Sequence, residues 1–312
     1  MTIKVPLGAA LAVPADVTNY VDASVDQARQ VAAAGLHSVW FGQRFDYDSP
    51  ALAGIVGREV PGLHVGTSAI PVFGRHPLLI SSQAQTAQAA THGHYHLGLA
   101  LGAPSFVENA FGIRYDRPIG LLREFLTALR PLLTTGQADH HGERLTAVTR
   151  LPASVPGAVP PVPVLVAAMG PQALRVSGEL ADGILPYLAG PRTLAEHIVP
   201  TVTEAAARAG RPAPRIVAFV AGVVTADVDA ARDNALQKMA FYEQVPSYQR
   251  VIEQEGASRA ADLAVIGDED AIAAAVGRYI DAGATEVVFT QTDLGSAEDQ
   301  RRTWTVLGEL AK

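Results

Sequence analysis

Eight short apolar runs, separated by longer amphipathic ones, recur along the chain and leave few architectures open. The short runs fall at residues 3–8, 38–41, 63–69, 95–101, 164–168, 183–185, 216–224 and 286–290, and read as buried parallel strands. The longer runs read as helices. The clearest covers 119–133, where Leu122, Phe125, Leu126, Leu129, Leu132 and Leu133 keep the spacing of one buried helical face. Another, over 268–282, opens with Asp268, Glu269 and Asp270, carboxylates that suit the exposed N–H groups of a helix start. One local unit repeats. Ala34-Gly35-Leu36-His37-Ser38-Val39-Trp40-Phe41 parallels Ala282-Gly283-Ala284-Thr285-Glu286-Val287-Val288-Phe289. In each, a helix closes on a glycine that tolerates a left-handed cap, and an apolar strand begins three residues later. A chain of βα units uses this connection repeatedly.

Strands alternating with helices make either a doubly wound open sheet or a barrel. The open sheet wants a glycine-rich phosphate loop after its first strand. Ala9-Ala10-Leu11-Ala12-Val13-Pro14 stands there instead, with neither GxGxxG nor GxxxxGK[ST]. The expected fold is therefore an α/β (β/α)8 TIM barrel, a single domain over residues 1–312. Two insertions interrupt it. Residues 135–163, proline-rich and without periodicity, follow the fourth helix and read as a surface excursion with a hairpin. Residues 227–255 follow the seventh strand and read as an inserted helical pair, broken at Pro246 and placed to cover the barrel mouth.

Composition narrows the function. With 48% hydrophobic and 18% charged residues, the chain buries a sizeable core and does not read as disordered. Its net charge of −7, with no long basic run, gives no electrostatic footprint for nucleic acid. It has no cysteine, which excludes disulfides, thiolate zinc sites, iron–sulfur clusters and cysteine nucleophiles. No uninterrupted apolar run reaches the roughly 18 residues of a membrane span. The first residues make a poor signal peptide, so a cytoplasmic location is expected.

Active sites of such barrels lie at the C-terminal strand ends. After the second strand comes Gln43-Arg44-Phe45-Asp46-Tyr47-Asp48, where Gln43 and Arg44 are candidates to contact a cofactor or substrate. The alternative is a solvated loop closed by salt bridges. At the end of the third strand, Ser68, Ala69 and Ile70 are small enough, or close enough to small residues, for a flat ring to approach the backbone. Gly102 makes room after the fourth strand. Ala167, Ala168, Met169, Gly170 and Pro171 end the fifth strand and open a helix whose free N–H groups suit a phosphate; a well-capped helix without a ligand is the plainer reading. His92, His94 and His96 alternate like metal ligands but start a strand, on the face that usually serves stability, so no metal is expected. Neither HExxH nor GxSxG occurs.

Four segments in order resemble the luciferase-like superfamily and, within it, the coenzyme F420-dependent oxidoreductases. Ala34 to Gly42 is similar to "AGFDSVWVGEH". Gly66-Thr67-Ser68-Ala69 through Arg75-His76-Pro77 is similar to "GTAV…RHP". Thr91 to Gly102 is similar to "LSGGRFTLGLGVG". Ala167-Ala168-Met169-Gly170-Pro171, with Gly178 to Gly183 behind it, is similar to "AAxGP…GELADG". The resemblance implies a homodimeric barrel with a flavin or deazaflavin ring at its mouth. It implies a non-prolyl cis peptide at Ser68-Ala69 under the ring, and a phosphate-binding turn at Ala167–Pro171. Two departures stand out. Some relatives carry Asp-His where this chain has Gln43-Arg44, and some a Glu where it has Ala103-Pro104, which weighs against a sugar-phosphate substrate. The expected activity is F420-dependent hydride transfer to or from a small organic substrate. The alternatives are an FMN-dependent monooxygenase of the same superfamily and a non-catalytic barrel that binds a flavin or deazaflavin.

Overall fold

Eight strands alternate with helices among the described residues, 5–312 of this computed structural model. They are β1 (Leu7–Ala10), β2 (Ser38–Phe41), β3 (His64–Thr67), β4 (Tyr95–Ala100), β5 (Val164–Ala167), β6 (Gly183–Ile184), β7 (Arg215–Val224) and β8 (Glu286–Thr290). The fold is the expected (β/α)8 barrel. Every expected strand is present, and β2 and β8 keep the expected bounds. Only β1 is clearly displaced, starting and ending later than 3–8; Ile3 and Lys4 of that expectation lie outside the described residues. The chain divides into two units, each supplying four strands. One holds the residues up to Trp40 with Leu185–Thr201 and Arg215–Lys312; the other holds Phe41–Ile184 and Val202–Pro214.

In the first unit β7, β8, β1 and β2 are neighbours in that order, all parallel, with a short edge strand, Val265–Gly267, on β7. Leu7 lies opposite Val287 and Gly8 opposite Ser38. A Cβ on Gly8 would stand 2.2 Å from the Ser38 Oγ, so only glycine fits between the strands there. That serine belongs to a buried polar chain: Trp40 Nε1 donates to Ser38 Oγ at 2.9 Å, Ser38 Oγ to Glu286 Oε1 at 2.6 Å, and Arg215 pairs with Glu286 at 2.8 Å. The repeated connections end as read, on Gly35 (φ 97) and Gly283 (φ 100). Helices Tyr20–Ala34 and Ala297–Leu310 pack so closely that a Cβ on Gly308 would fall 1.7 Å from the Ala34 carbonyl oxygen. The insert is a helical pair, Val228–Lys238 and Pro246–Glu255, joined by a 3-10 turn; Pro246 sits in the first turn of the second helix, where its missing N–H is harmless.

In the second unit β3, β4, β5 and β6 are parallel neighbours. Helix Pro118–Thr135 buries Leu122, Phe125, Leu126, Leu129, Leu132 and Leu133 on one face, as its spacing predicts. The excursion after it holds an antiparallel hairpin, Asp139–His141 with Thr146–Val148. At the N-terminal end of β4, His64 and His96 stack, with Nδ1 and Nε2 3.0 Å apart, and the His94 ring meets His64 edge-on. No helix among the described residues is long and apolar enough to cross a membrane.

Candidate functional site

The C-terminal ends of β3, β4 and β5 bring most of the expected cofactor-binding residues together. β3 stops at Thr67, whose hydroxyl exchanges hydrogen bonds with Gly98 of β4, donating to its carbonyl at 3.0 Å and accepting from its N–H at 2.9 Å. A side chain thus satisfies β4 where the neighbouring backbone steps away. The step is Ser68-Ala69, joined by the cis peptide that the resemblance implies. It is tied from behind by the Ser68 N–H, which donates to the Phe41 carbonyl at 2.8 Å. The chain then rejoins the sheet, with Ile70 opposite Leu99 and Pro71 opposite Ala100. Ser68 and Ala69 are half-buried, whereas the Ile70 side chain is wholly buried, so Ile70 offers only backbone to a ligand.

Gly102 stands beside this step. Its φ of +77 suits glycine, and a Cβ there would meet Val107 at 3.2 Å and Pro71 at 3.6 Å. β5 follows, with Ala167 opposite Ala100. Ala168 is buried, and Met169 and Gly170 are half-buried. Gly170 (φ −80, ψ 147) caps helix Pro171–Leu180; no side chain caps the helix and its first turn holds no acid. The Gln172 and Ala173 N–H groups therefore lack a side-chain acceptor and carry the positive end of the helix dipole. Small residues, a bare helix start and no competing carboxylate fit the phosphate of a flavin or deazaflavin cofactor.

Gln43 and Arg44 follow β2 and line a pocket of about 430 Å³, with Phe45, Phe73, Arg75 and Phe106 among its walls. The Gln43 amide is engaged at both ends. Its Nε2 donates to the Arg44 and Tyr47 carbonyls, the latter at 2.9 Å; its Oε1 accepts from the Ser49 hydroxyl at 2.9 Å and from Arg75 at 3.0 Å. Arg75 also faces Asp48 at 3.5 Å. Arg44 is exposed and paired with Asp46 at 2.8 Å. A helix unforeseen from sequence, Pro104–Phe111, brings Phe106 flat against Phe45 and Phe111 edge-on to both.

The first unit holds a polar group that the sequence reading missed. Tyr187, just beyond β6, donates its hydroxyl to Oε1 of Gln291, the residue after β8, at 3.0 Å. Tyr242 and Tyr248 of the insert meet the Tyr187 ring edge-on. Burial drives the Tyr187 hydroxyl well above its ordinary pKa, and it raises Tyr242 against the opposing pull of Tyr187 and Gln291 beside it. Both Tyr187 and Gln291 sit where the strand-end rule points; applied to the sixth and eighth strands, that rule would have found them.

The model of the luciferase-like monooxygenase family matches residues 5–286. An uncharacterized protein of Mycobacterium tuberculosis (strain ATCC 25618 / H37Rv) is 31% identical over 206 residues, 62% of this chain and 61% of its own length. The F420-dependent glucose-6-phosphate dehydrogenase of Nocardia farcinica (strain IFM 10152) is 28% identical over 268 residues, 79% of this chain and 77% of its own. Two solved structures share the fold. Coenzyme F420-dependent tetrahydromethanopterin reductase from Methanopyrus kandleri superposes with a TM-score of 0.81 at 19% identity over 98% of both chains. The oxygenating constituent of 3,6-diketocamphane monooxygenase from Pseudomonas putida, in complex with FMN, superposes with 0.78 at 14% identity over 99% of this chain and 98% of that one. With a family model spanning nearly its whole length and a (β/α)8 barrel beneath it, the chain belongs to the luciferase-like monooxygenase family.

Proposed function

We propose that the chain is a coenzyme F420-dependent oxidoreductase that transfers hydride between the deazaflavin and a small organic substrate. The observation that carries this reading is the alignment, along adjacent strand ends, of the Ser68-Ala69 step, Gly102 and the uncapped helix start at Gly170-Pro171. Relatives with F420-dependent names support it. The backbone of Ser68, Ala69 and Ile70 forms a shelf for the ring. Ala167, Ala168, Met169, Gly170 and Pro171 hold the phosphate, with the Gln172 and Ala173 N–H groups as donors. Gln43 fixes the loop after β2, and with Arg44 it edges the pocket beside the ring. When bound, the deazaflavin supplies the hydride chemistry, while the protein supplies position and a dry surrounding. We read the protein as a homodimer, because the family resemblance implies one.

An FMN-dependent monooxygenase is the second reading, favoured by the family description and by the FMN-bound relative in fold. Its ring and phosphate would occupy the same residues. Fluorescence titration of the purified protein with F420 and, separately, with FMN decides between them. Saturable binding of F420 alone supports the first reading, binding of FMN alone replaces it with the second, and binding of neither removes both. Light scattering tests the dimer against the 32.7 kDa of one chain.

A further inference from the structure

A second cavity, of about 710 Å³, lies wholly within the first unit. None of its walls belongs to the group around Tyr187 and Gln291. It is bounded by the edge strand beside β7, by helix Glu269–Asp281, by the turn at Gly256 that ends the insert's second helix, and by Gly190-Pro191. Its volume falls in the range of small-molecule sites, roughly 300–1,000 Å³. Leu263, Val265 and Ile266, all half-buried, give it an apolar side.

Tyr279 carries the argument. Its place in the helix turns it inward with Ile272, Ala275 and Val276, and only 5% of it is exposed. A tyrosine buried to this degree finds a partner for its O–H, yet the Tyr279 hydroxyl has none among the described residues. Nor is it sealed in the core, as the unpartnered polar atoms of Tyr95 and Trp304 are; it opens onto the cavity that Tyr279 lines. Burial pushes this hydroxyl above its ordinary pKa, the Glu255 carboxylate adds to the rise and Arg278 opposes it. The group is therefore a neutral hydroxyl at neutral pH, within reach of the fields of a carboxylate and a guanidinium and bonded to neither.

Three charged side chains line the same cavity: Glu255, Asp262 and Arg278. None of them forms a salt bridge among the described residues. The two carboxylates are held in place by backbone. Glu255 accepts from the N–H groups of Arg192 at 3.2 Å and Thr193 at 2.7 Å, and Asp262 accepts from those of Ser258 at 3.0 Å and Arg259 at 2.8 Å. The nearby guanidinium groups are spent elsewhere, that of Arg192 on the Gln254 carbonyl and that of Arg259 on Glu243. Arg278, exposed and unpaired, keeps its full set of donors.

These charges select among ligands. A plain anion that accepts from Tyr279 and Arg278 also faces Glu255 and Asp262. A plain cation drawn to the carboxylates faces Arg278. A ligand bearing both signs a few bonds apart meets each with its opposite, and an apolar remainder covers Leu263, Val265 and Ile266. We propose that this cavity binds an α-amino acid with an apolar side chain, whose carboxylate accepts from the Tyr279 hydroxyl and the Arg278 guanidinium and whose ammonium group pairs with Glu255, with Asp262 on the same rim. The proposal is independent of which cofactor the chain takes.

Saturation-transfer NMR titrations of the full chain test it with three probes of one carbon skeleton. L-Leucine carries both charges, 4-methylpentanoate lacks the ammonium group, and 3-methylbutylamine lacks the carboxylate. The titrations are run on the wild type, Tyr279→Phe and Arg278→Gln. The first variant keeps the buried ring and removes only its hydroxyl; the second changes an exposed side chain, so the fold is not at stake. The expected result is saturable binding of leucine by the wild type and binding of each analogue weaker by about tenfold or more, as loss of a charged partner dictates. Arg278→Gln should weaken leucine binding by about tenfold, and Tyr279→Phe by about threefold to tenfold. Either analogue binding as well as leucine overturns the proposal. So does leucine that fails to saturate the wild type, or leucine binding that Arg278→Gln leaves unchanged.

Discussion

The guanidinium of Arg75 and the carboxamide of Gln43, 32 residues apart, meet at 3.0 Å and join the loop after β2 to the loop after β3. Because Gln43 also accepts from Ser49 and donates to two carbonyls, its side chain replaces backbone pairing that the irregular loop cannot make for itself. Gln43→Leu keeps the size and strips four partners at once. We expect it to lower stability by about 1–3 kcal/mol, the cost of leaving partly buried polar groups unpaired, as read by urea unfolding. An unchanged midpoint would mean that the loop holds its shape without this amide.

Glu286 is 2% exposed and binds both Ser38 and Arg215. Glu286→Ala removes the carboxylate that Arg215 pairs with and leaves the buried Ser38 hydroxyl without its acceptor, and should cost about 1–3 kcal/mol in chemical denaturation. Ser38→Ala, which removes a neutral link of the same chain, should cost less.

Two glycines in helices should respond in opposite directions. At Gly308 an added Cβ would meet the Ala34 carbonyl oxygen, so Gly308→Ala must push helices Tyr20–Ala34 and Ala297–Leu310 apart, at about 1–3 kcal/mol. At Gly277, within helix Glu269–Asp281, a Cβ meets nothing within 4 Å. Gly277→Ala should stabilise the protein by up to about 1 kcal/mol through helix propensity alone. Thermal unfolding of the two variants side by side checks both signs.

Gly170 has φ and ψ open to any residue, so Gly170→Leu should fold with little change in melting temperature. It should nevertheless weaken F420 binding at least tenfold, by filling the space before the helix start. Cofactor affinity equal to that of the wild type would displace the phosphate from this turn.

Hydrogen bonding from Arg144 holds the Asp116 carboxyl below the usual carboxylate range, against an opposing effect of desolvation. A carboxyl lowered on folding stabilises the native state above its unfolded pKa of about 3.9, and that contribution fades as pH falls through the lower folded value. Melting temperature against pH should therefore drop less below about pH 4 in Asp116→Asn than in the wild type. Parallel curves would show that the pair adds nothing to folding.

The barrel was legible because its strands carry their own signature. The connections closing on Gly35 and Gly283 deliver apolar, β-branched runs of a length that only a buried strand uses. β1 was displaced for a local reason. Its core is Gly8-Ala9-Ala10, poor in strand propensity, and it is a strand because Gly8 fits against Ser38 and Leu7 against Val287. The Ser68-Ala69 step and the Gly170-Pro171 turn were legible because both lie next to recognisable strand ends. Tyr187 and Gln291 lie just beyond the sixth and eighth strands, where the same strand-end rule points, although no periodicity singles them out. The engagement of Gln43 was not legible, since its partners Ser49 and Arg75 are set by tertiary approach. The helix Pro104–Phe111 is eight residues long, too short for its pattern to stand out.

The first unit takes β1 and β2 from the beginning of the chain and β7 and β8 from its end, whereas most of the second is one continuous stretch, Phe41–Ile184. On the ribosome the two therefore mature in the reverse of their order of synthesis. The segment carrying β3 to β6 emerges whole, while β1, already made, has an edge whose partner β8 comes much later in the chain, Leu7 lying opposite Val287. At about 5–20 residues per second, the interval between synthesis of Leu7 and of its partner Val287 lasts roughly 14–56 s. Until then β1 presents an apolar edge that would pair with other chains, so the fold delays the closure of its own first strand.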